Sequence, residues 1–116
     1  MSKRSTSLLL TDIIDCSDKI KSYVNGLTYE EFRDNSLIVD AVVRNFEIIG
    51  EAANRIPEEV RNENVNIDWV RIRGFRNRIV HDYFGIDLEV VWNIIEEYLD
   101  PLTREIQILK ESRYPN

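Results

Sequence analysis

The chain has one cysteine, no excess of positive charge and no long apolar run, and each absence excludes a class of protein. A single cysteine, Cys16, cannot form an internal disulfide, and its place on an apolar helical stripe indicates a small core residue in a reducing, cytoplasmic setting. The net charge of −6 argues against a protein whose whole surface attracts nucleic acid. Any contact with RNA must therefore come from a local patch.

Long apolar segments are also missing. The N-terminal stretch MSKRSTSLLL has only three consecutive leucines, too few for the apolar part of a signal peptide. A membrane-spanning helix needs roughly 20 apolar residues, and no segment is that long. We therefore expect a protein without export and without membrane association.

The apolar residues that are present recur at spacings of three and four, which is typical of amphipathic helices. Strand-like alternation of useful length is absent. A chain of 116 residues matches one ordinary domain. We predict an all-α, up-and-down bundle of four to five helices in a single domain, 1–116, with a core over about 8–110 and short disordered ends at 1–6 and 112–116.

Capping residues and glycine or proline stops predict the helix boundaries. We expect a helix from Leu9 that is ended by Gly26, and then a short helix or turn capped by Thr28. A second long helix should run from about Ser36 to Arg55, capped by Asp34 or Asn35 and closed by Pro57, and a polar linker over 57–66 with room for one helical turn should follow. The next helix should run from Trp69 to about Tyr83, capped by Asp68 and stopped by Gly85, and the last element should begin at Asp87 and be interrupted near Pro101.

The two long helices have apolar faces that should form most of the core. The predicted face of the first is Leu9, Ile13, Cys16, Ile20, Tyr23, Val24 and Leu27, and that of the helix after Asn35 is Leu37, Ile38, Ala41, Val42, Phe46, Ile49, Ala52, Ala53 and Ile56. Within the second face, the block GEAANR at 50–55 has three small residues in four positions. Small residues let another helix approach the backbone closely, so we interpret this block as a packing surface.

Four arginines and the only histidine are concentrated in RIRGFRNRIVHDYFGID, residues 71–87. The window 69–83 has a formal charge of +3, against −6 for the chain, and is the local basic patch that RNA binding would require. At about 100° per residue, the core face comprises Trp69, Ile72, Phe75, Ile79 and Tyr83. The side chains of Arg73, Asn77 and His81 follow one another at intervals of four as a polar stripe.

Arginine, histidine and an amide are sufficient for RNA cleavage without a metal. The RNA supplies its own 2′-hydroxyl nucleophile, so the protein needs a base, an acid and positive charge on the phosphorane. The same residues have a second interpretation, since exposed arginines often only solvate a helix and a histidine in a last turn interacts favourably with the helix dipole. Spacing alone does not choose between the two.

The segment 76–83, RNRIVHDY, resembles the motif of arginine, four residues, histidine, one residue and tyrosine found in HepT toxins, members of the HEPN superfamily of helical ribonucleases. The blocks GEAANRIP before it and VWNIIEEYLDPL after it are similar to that family in order and spacing. The resemblance covers roughly residues 8–110, and the family pattern is met at each position of the motif.

This resemblance implies a homodimer in which two motifs face each other and cut RNA without a metal or other cofactor. Carried over to this sequence, Arg76 and His81 would be catalytic, Asn77 would support them, and Tyr83 would be the site of AMPylation. The modifying enzyme would be an antitoxin, a nucleotidyltransferase of the MntA type. Transfer RNA is one substrate known in the family. We expect Arg73 and Arg78 to contact the RNA.

Helical geometry adds a constraint on the two catalytic candidates. Arg76 and His81 are five residues apart, which separates them by about 140° around an ideal helix. Either the helix unwinds near His81 or a neighbouring chain completes the site. Two other functions stay open: a helical dimer that binds a nucleotide or a nucleotidyltransferase without turnover, and a purely structural role in oligomerisation.

Overall fold

The computed structural model describes residues 4–75, 79 and 85–115, and over these ranges the fold is helical with no β-strand. The described helices are α1 (Thr6–Val24), α2 (Tyr29–Arg33), α3 (Ser36–Arg55), α4 (Glu58–Glu63), α5 (Trp69–Arg73), α6 (Leu88–Glu97) and α7 (Leu99–Arg113). This confirms the predicted all-α class. None of the helices described is long and apolar enough to cross a lipid bilayer.

Side-chain caps begin most of these helices, as the sequence predicted. The Thr28 and Glu31 pair forms a complete capping box at α2, and Asn35, rather than Asp34, caps α3 by accepting from Ile38 N at 3.1 Å. At α5, Asp68 Oδ1 accepts from the Arg71 amide at 3.0 Å. Each cap satisfies a backbone N–H that has no partner within its helix.

The described residues near both ends of the chain are more ordered than we predicted. Helix α1 already begins at Thr6, and Arg4 Nε pairs with Asp12 Oδ2 at 2.7 Å. At the other end α7 runs to Arg113, and the Tyr114 carbonyl accepts a hydrogen bond of 3.2 Å from Ser7 Oγ. Helical structure, the Arg4–Asp12 pair and the Ser7–Tyr114 hydrogen bond therefore replace the expected disorder in the described residues.

Three further boundaries differ from the prediction. The expected linker over 57–66 contains a six-residue helix, α4. The predicted helix from Trp69 is interrupted after Arg73, where the Gly74 amide is shared between the carbonyls of Val70 and Arg71 in a tightened last turn. Phe75 and Ile79 are again helical, and the predicted end near Tyr83 lies outside the described residues. The predicted interruption near Pro101 falls at Tyr98, which places Pro101 in the first turn of α7, where its missing N–H is tolerated.

The core lies mainly between α1 and α3, with α7 packed on α1, α5 on α3 and α6 on α7. Most of the predicted apolar positions are buried there, including Cys16, whose thiol pKa is raised chiefly by burial. The prediction of burial is wrong for two residues, since Leu37 is 82% exposed and Tyr23 is 38% exposed. Both lie in terminal turns, where a helix has fewer neighbours to cover its apolar face.

The block 50–55 packs against α5, as the sequence indicated. A Cβ placed on Gly50 would lie 3.6 Å from the Ile72 carbonyl oxygen and 3.8 Å from that of Arg73. These are ordinary contact distances, so a methyl group fits, while a larger side chain would extend from a Cβ that already touches α5. The backbones of α3 and α5 therefore meet at Gly50.

We predict that Gly50→Leu destabilises the protein and Gly50→Ala does not. The leucine would push α5 away from α3, an overpacking cost of about 1–3 kcal/mol, whereas alanine fits and gains up to about 1 kcal/mol of helix propensity. Urea unfolding of both variants beside the unchanged protein measures the difference. Equal stability of the leucine and alanine variants would contradict the close approach.

Candidate functional site

The predicted site residues fall into two groups. Arg73 lies within the described residues, at the end of α5. The other five, Arg76, Asn77, Arg78, His81 and Tyr83, lie outside the described residues. The geometry available is therefore that of the frame around the motif and of Arg73 itself.

The frame is anchored in the core on both sides of the motif arginine. Phe75 is 0% exposed and Ile79 is 1% exposed, as their predicted core phase requires. The Phe75 ring meets Phe46 of α3 edge-on, with centroids 5.2 Å apart and planes at 80°. The residue directly before the motif is thus held by a buried aromatic contact with α3.

The far end of the motif is fixed by Asp87. Its backbone amide donates to the Ile79 carbonyl at 2.9 Å, and its side chain caps α6 by accepting from Val90 N at 3.2 Å. Gly85, just before it, has a φ of +88°, which a residue with a side chain rarely adopts. One residue therefore ties the chain that follows the motif both to Ile79 and to the start of α6.

Arg73 is held by α3. Its Nε donates to Oδ1 of Asn54 at 3.1 Å, and both side chains are exposed. Sequence reasoning missed Asn54, because the block 50–55 was interpreted only as a packing surface. A signal was available: Gly50 and Asn54 are four residues apart, so they share one face of α3. Where Gly50 brings α5 close, Asn54 is one turn farther along and within reach of Arg73.

Arg71 points elsewhere and has different partners. Its guanidinium carbon lies 3.8 Å from the centre of the Tyr98 ring, and its Nε is 3.7 Å from an oxygen of Asp68. This cation–π contact places Arg71 at the junction of α6 and α7, on the wall of a small cleft of about 260 Å³. The two arginines of α5 are therefore divided between a structural contact and the surface next to the motif.

A second and more open groove, of about 730 Å³, lies between α4 and α5. Its charged lining residues are Glu58, Arg61, Asp68 and Arg73. Arg61 is already engaged, since one of its terminal nitrogens donates to the Ile56 carbonyl at 2.7 Å and closes the end of α3. Arg73 is thus the cation of this groove that lies nearest the motif in sequence.

The described part of the chain offers no group of three His, Cys, Asp or Glu side chains placed to hold a metal ion. Its polar chemistry beside the motif consists of the Arg73–Asn54 pair and the Asp87 cap. A guanidinium is suited to bind phosphate, because its N–H groups form a rigid fork that matches the oxygen geometry.

Comparison with known proteins gives a consistent family. A family model described as "Ribonuclease HepT-like" matches residues 13–109. A protein of Methanocaldococcus jannaschii, provisionally named as an RNase, is 36% identical over 94% of this chain and 100% of its own length. A protein of Thermococcus cleftensis, named as a probable ribonuclease HepT, is 30% identical over 94% of this chain and 99% of its own. No solved structure matches.

We predict that Asp87→Ala lowers the free energy of unfolding by about 1 kcal/mol, the usual cost of losing an N-cap. Asp87→Asn is the matched control, because asparagine caps a helix about as well as aspartate. Thermal and urea unfolding compare the two variants. A loss for asparagine as large as that for alanine would mean that the Asp87 charge, and not its capping hydrogen bond, fixes this end of the motif.

Proposed function

Because this chain belongs to the HepT-like ribonuclease family, we propose that it is an endoribonuclease that uses Arg76 and His81 and needs no metal. The complete pattern of arginine, four residues, histidine, one residue and tyrosine at 76–83 is the observation that carries the proposal. Support comes from the described frame, in which buried Phe75 and Ile79 flank the motif arginine and Asp87 fixes the chain beyond the tyrosine.

In the proposed reaction the RNA supplies the nucleophile. His81 accepts the proton of a ribose 2′-hydroxyl, whose oxygen attacks the adjacent phosphorus. Arg76 stabilises the negative charge of the phosphorane, and Asn77 supports it. The bond from phosphorus to the 5′-oxygen then breaks, and the leaving oxygen takes a proton from the imidazolium. The products are a 2′,3′-cyclic phosphate and a 5′-hydroxyl.

We further propose that the active species is a homodimer in the cytoplasm. Arg76 and His81 lie about 140° apart on an ideal helix, so a second chain could complete a site that one straight helix does not form. A groove between two chains would also bring a second set of cations to one RNA. An acidic protein benefits from this arrangement, because two local patches add where the net charge of −6 repels the substrate. Transfer RNA is the proposed substrate class.

The biological role that we propose is that of the toxin in a toxin–antitoxin system similar to HepT and MntA. The antitoxin would be a nucleotidyltransferase that joins AMP from ATP to the Tyr83 oxygen and releases pyrophosphate. The added phosphodiester is negative and bulky, so it would repel the phosphate of the RNA from the motif. Inhibition would then require no change of fold.

One prediction of the proposed function concerns RNA cleavage. The unmodified protein should cut cellular RNA in the presence of EDTA and leave 2′,3′-cyclic phosphate ends, whereas His81→Ala should lower the rate by at least about 100-fold. Electrophoresis and end analysis of the products measure both. Intact RNA from dimeric protein free of AMP would instead favour a non-catalytic module that binds a nucleotide or a nucleotidyltransferase.

Another prediction of the proposed function concerns the AMPylation of Tyr83. Co-expression with a cognate MntA-type nucleotidyltransferase should add the mass of AMP to the peptide that contains Tyr83, and the modified protein should no longer cut RNA. Tyr83→Phe is the control, because it removes only the hydroxyl that accepts AMP. An unmodified peptide in protein that the partner has nevertheless silenced would show that inhibition works by binding.

A further inference from the structure

Asn54 is the residue beside the motif to which neither the sequence nor the family comparison gives a role. It lies in the last turn of α3, is exposed, and accepts the Nε proton of Arg73 at 3.1 Å. We propose that Asn54 is a positioning residue: it holds the guanidinium of Arg73 so that this group binds an RNA phosphate next to the cleaved one, in the groove between α4 and α5. This inference rests on the proposed ribonuclease function.

The partner that the structure describes for Arg73 is a neutral amide side chain, which sets Arg73 apart from the arginines that it describes in ion pairs. Four others are paired with carboxylates: Arg4 with Asp12, Arg33 with Asp34, Arg71 with Asp68, and Arg113 with Glu63. A carboxylate partner offsets the positive charge of the arginine and so weakens its electrostatic attraction for a phosphate. An amide oxygen fixes the side chain and leaves that charge in place.

The geometry of the hydrogen bond also favours phosphate binding. An arginine has five N–H donors, and the bond to Asn54 uses only the one on Nε. The two terminal amino groups, which form the fork that grips phosphate, do not take part in this bond. Holding the side chain by its inner nitrogen removes much of the rotational freedom that an exposed arginine would lose on binding RNA.

The location places this cation next to the proposed chemistry. Arg73 is three residues before Arg76, and it lines the open groove of about 730 Å³ between α4 and α5. RNA whose cleaved phosphate lies at the motif has neighbouring phosphates along the same strand. We assign one of them to the groove that Arg73 lines, because Arg73 is close to the motif in sequence.

The packing of α3 against α5 explains why asparagine can do this. A Cβ on Gly50 would lie within 4 Å of the Ile72 and Arg73 carbonyl oxygens, so α3 and α5 are close together at this position. Asn54 follows one turn later on the same face and meets Arg73. The block 50–55 would therefore combine two roles, close packing at its start and arginine positioning near its end.

The test is the affinity for a fully 2′-O-methylated single-stranded RNA, which lacks the nucleophile and cannot be cut. Arg73→Ala should weaken binding and reduce the slope of log affinity against log salt by about 0.7, the loss of one phosphate contact. Asn54→Ala should weaken binding by about 2- to 10-fold, the cost of immobilising one more side chain. In the Arg73→Ala background, Asn54→Ala should have no further effect.

Asn54→Asp separates positioning from a merely structural role. The aspartate can accept the same hydrogen bond, so the melting temperature should be kept, but it offsets the Arg73 charge, so RNA affinity and salt slope should both fall. Asn93→Ala, at an exposed asparagine of α6 outside this groove, is the matched control and should change neither. In cleavage assays, Asn54→Ala should raise KM and leave kcat unchanged.

The inference and the proposed function can fail separately. Equal losses from Asn54→Ala with and without Arg73, or RNA affinity unchanged in both single variants while the protein still cuts RNA, would overturn the role of Asn54 and leave the nuclease intact. Binding that follows the expected pattern in a protein that cuts no RNA would instead reject the nuclease and keep the phosphate site.

Discussion

The surroundings of the candidate site depend on the close approach of α3 and α5 at Gly50. With no side chain at this position, two carbonyl oxygens of α5 reach contact distance from α3. That approach lets Phe75 meet Phe46 edge-on in the core and lets Asn54 meet Arg73 at the surface. The packing of α5 against a small residue of α3 thus lies just before the point at which the chain reaches the motif.

The frame on the other side of the motif has a different physical basis. Asp87 combines a backbone hydrogen bond to Ile79 with a side-chain cap on α6. The chain before the motif is held by apolar burial, and the chain after it is held by hydrogen bonds at the start of α6. A catalytic group must be positioned closely to be effective, and flanks anchored by burial and hydrogen bonds serve such positioning.

Charge is distributed in a way that agrees with a local site on an acidic protein. Arg71 is directed to Asp68 and Tyr98, Arg61 closes the end of α3, and Arg73 is held by a neutral amide. The arginines near α5 are therefore not equivalent, although they look alike in the sequence. An exposed arginine held by an amide is suited to bind a phosphate, because a side chain that is already held loses little further freedom on binding.

The sequence by itself determined the helical class, most of the caps, the core phases of Trp69, Ile72, Phe75 and Ile79, and the motif that led to the family. These features depend on local spacing and on side-chain hydrogen bonds a few residues apart. The predicted roles of Arg76, Asn77, Arg78, His81 and Tyr83 stay predictions. Only the tertiary structure decided that Leu37 and Tyr23 are exposed, that Ser7 is hydrogen-bonded to the Tyr114 carbonyl, and that Asn54 holds Arg73. Each of these depends on contacts between segments distant in the chain, which no local pattern encodes.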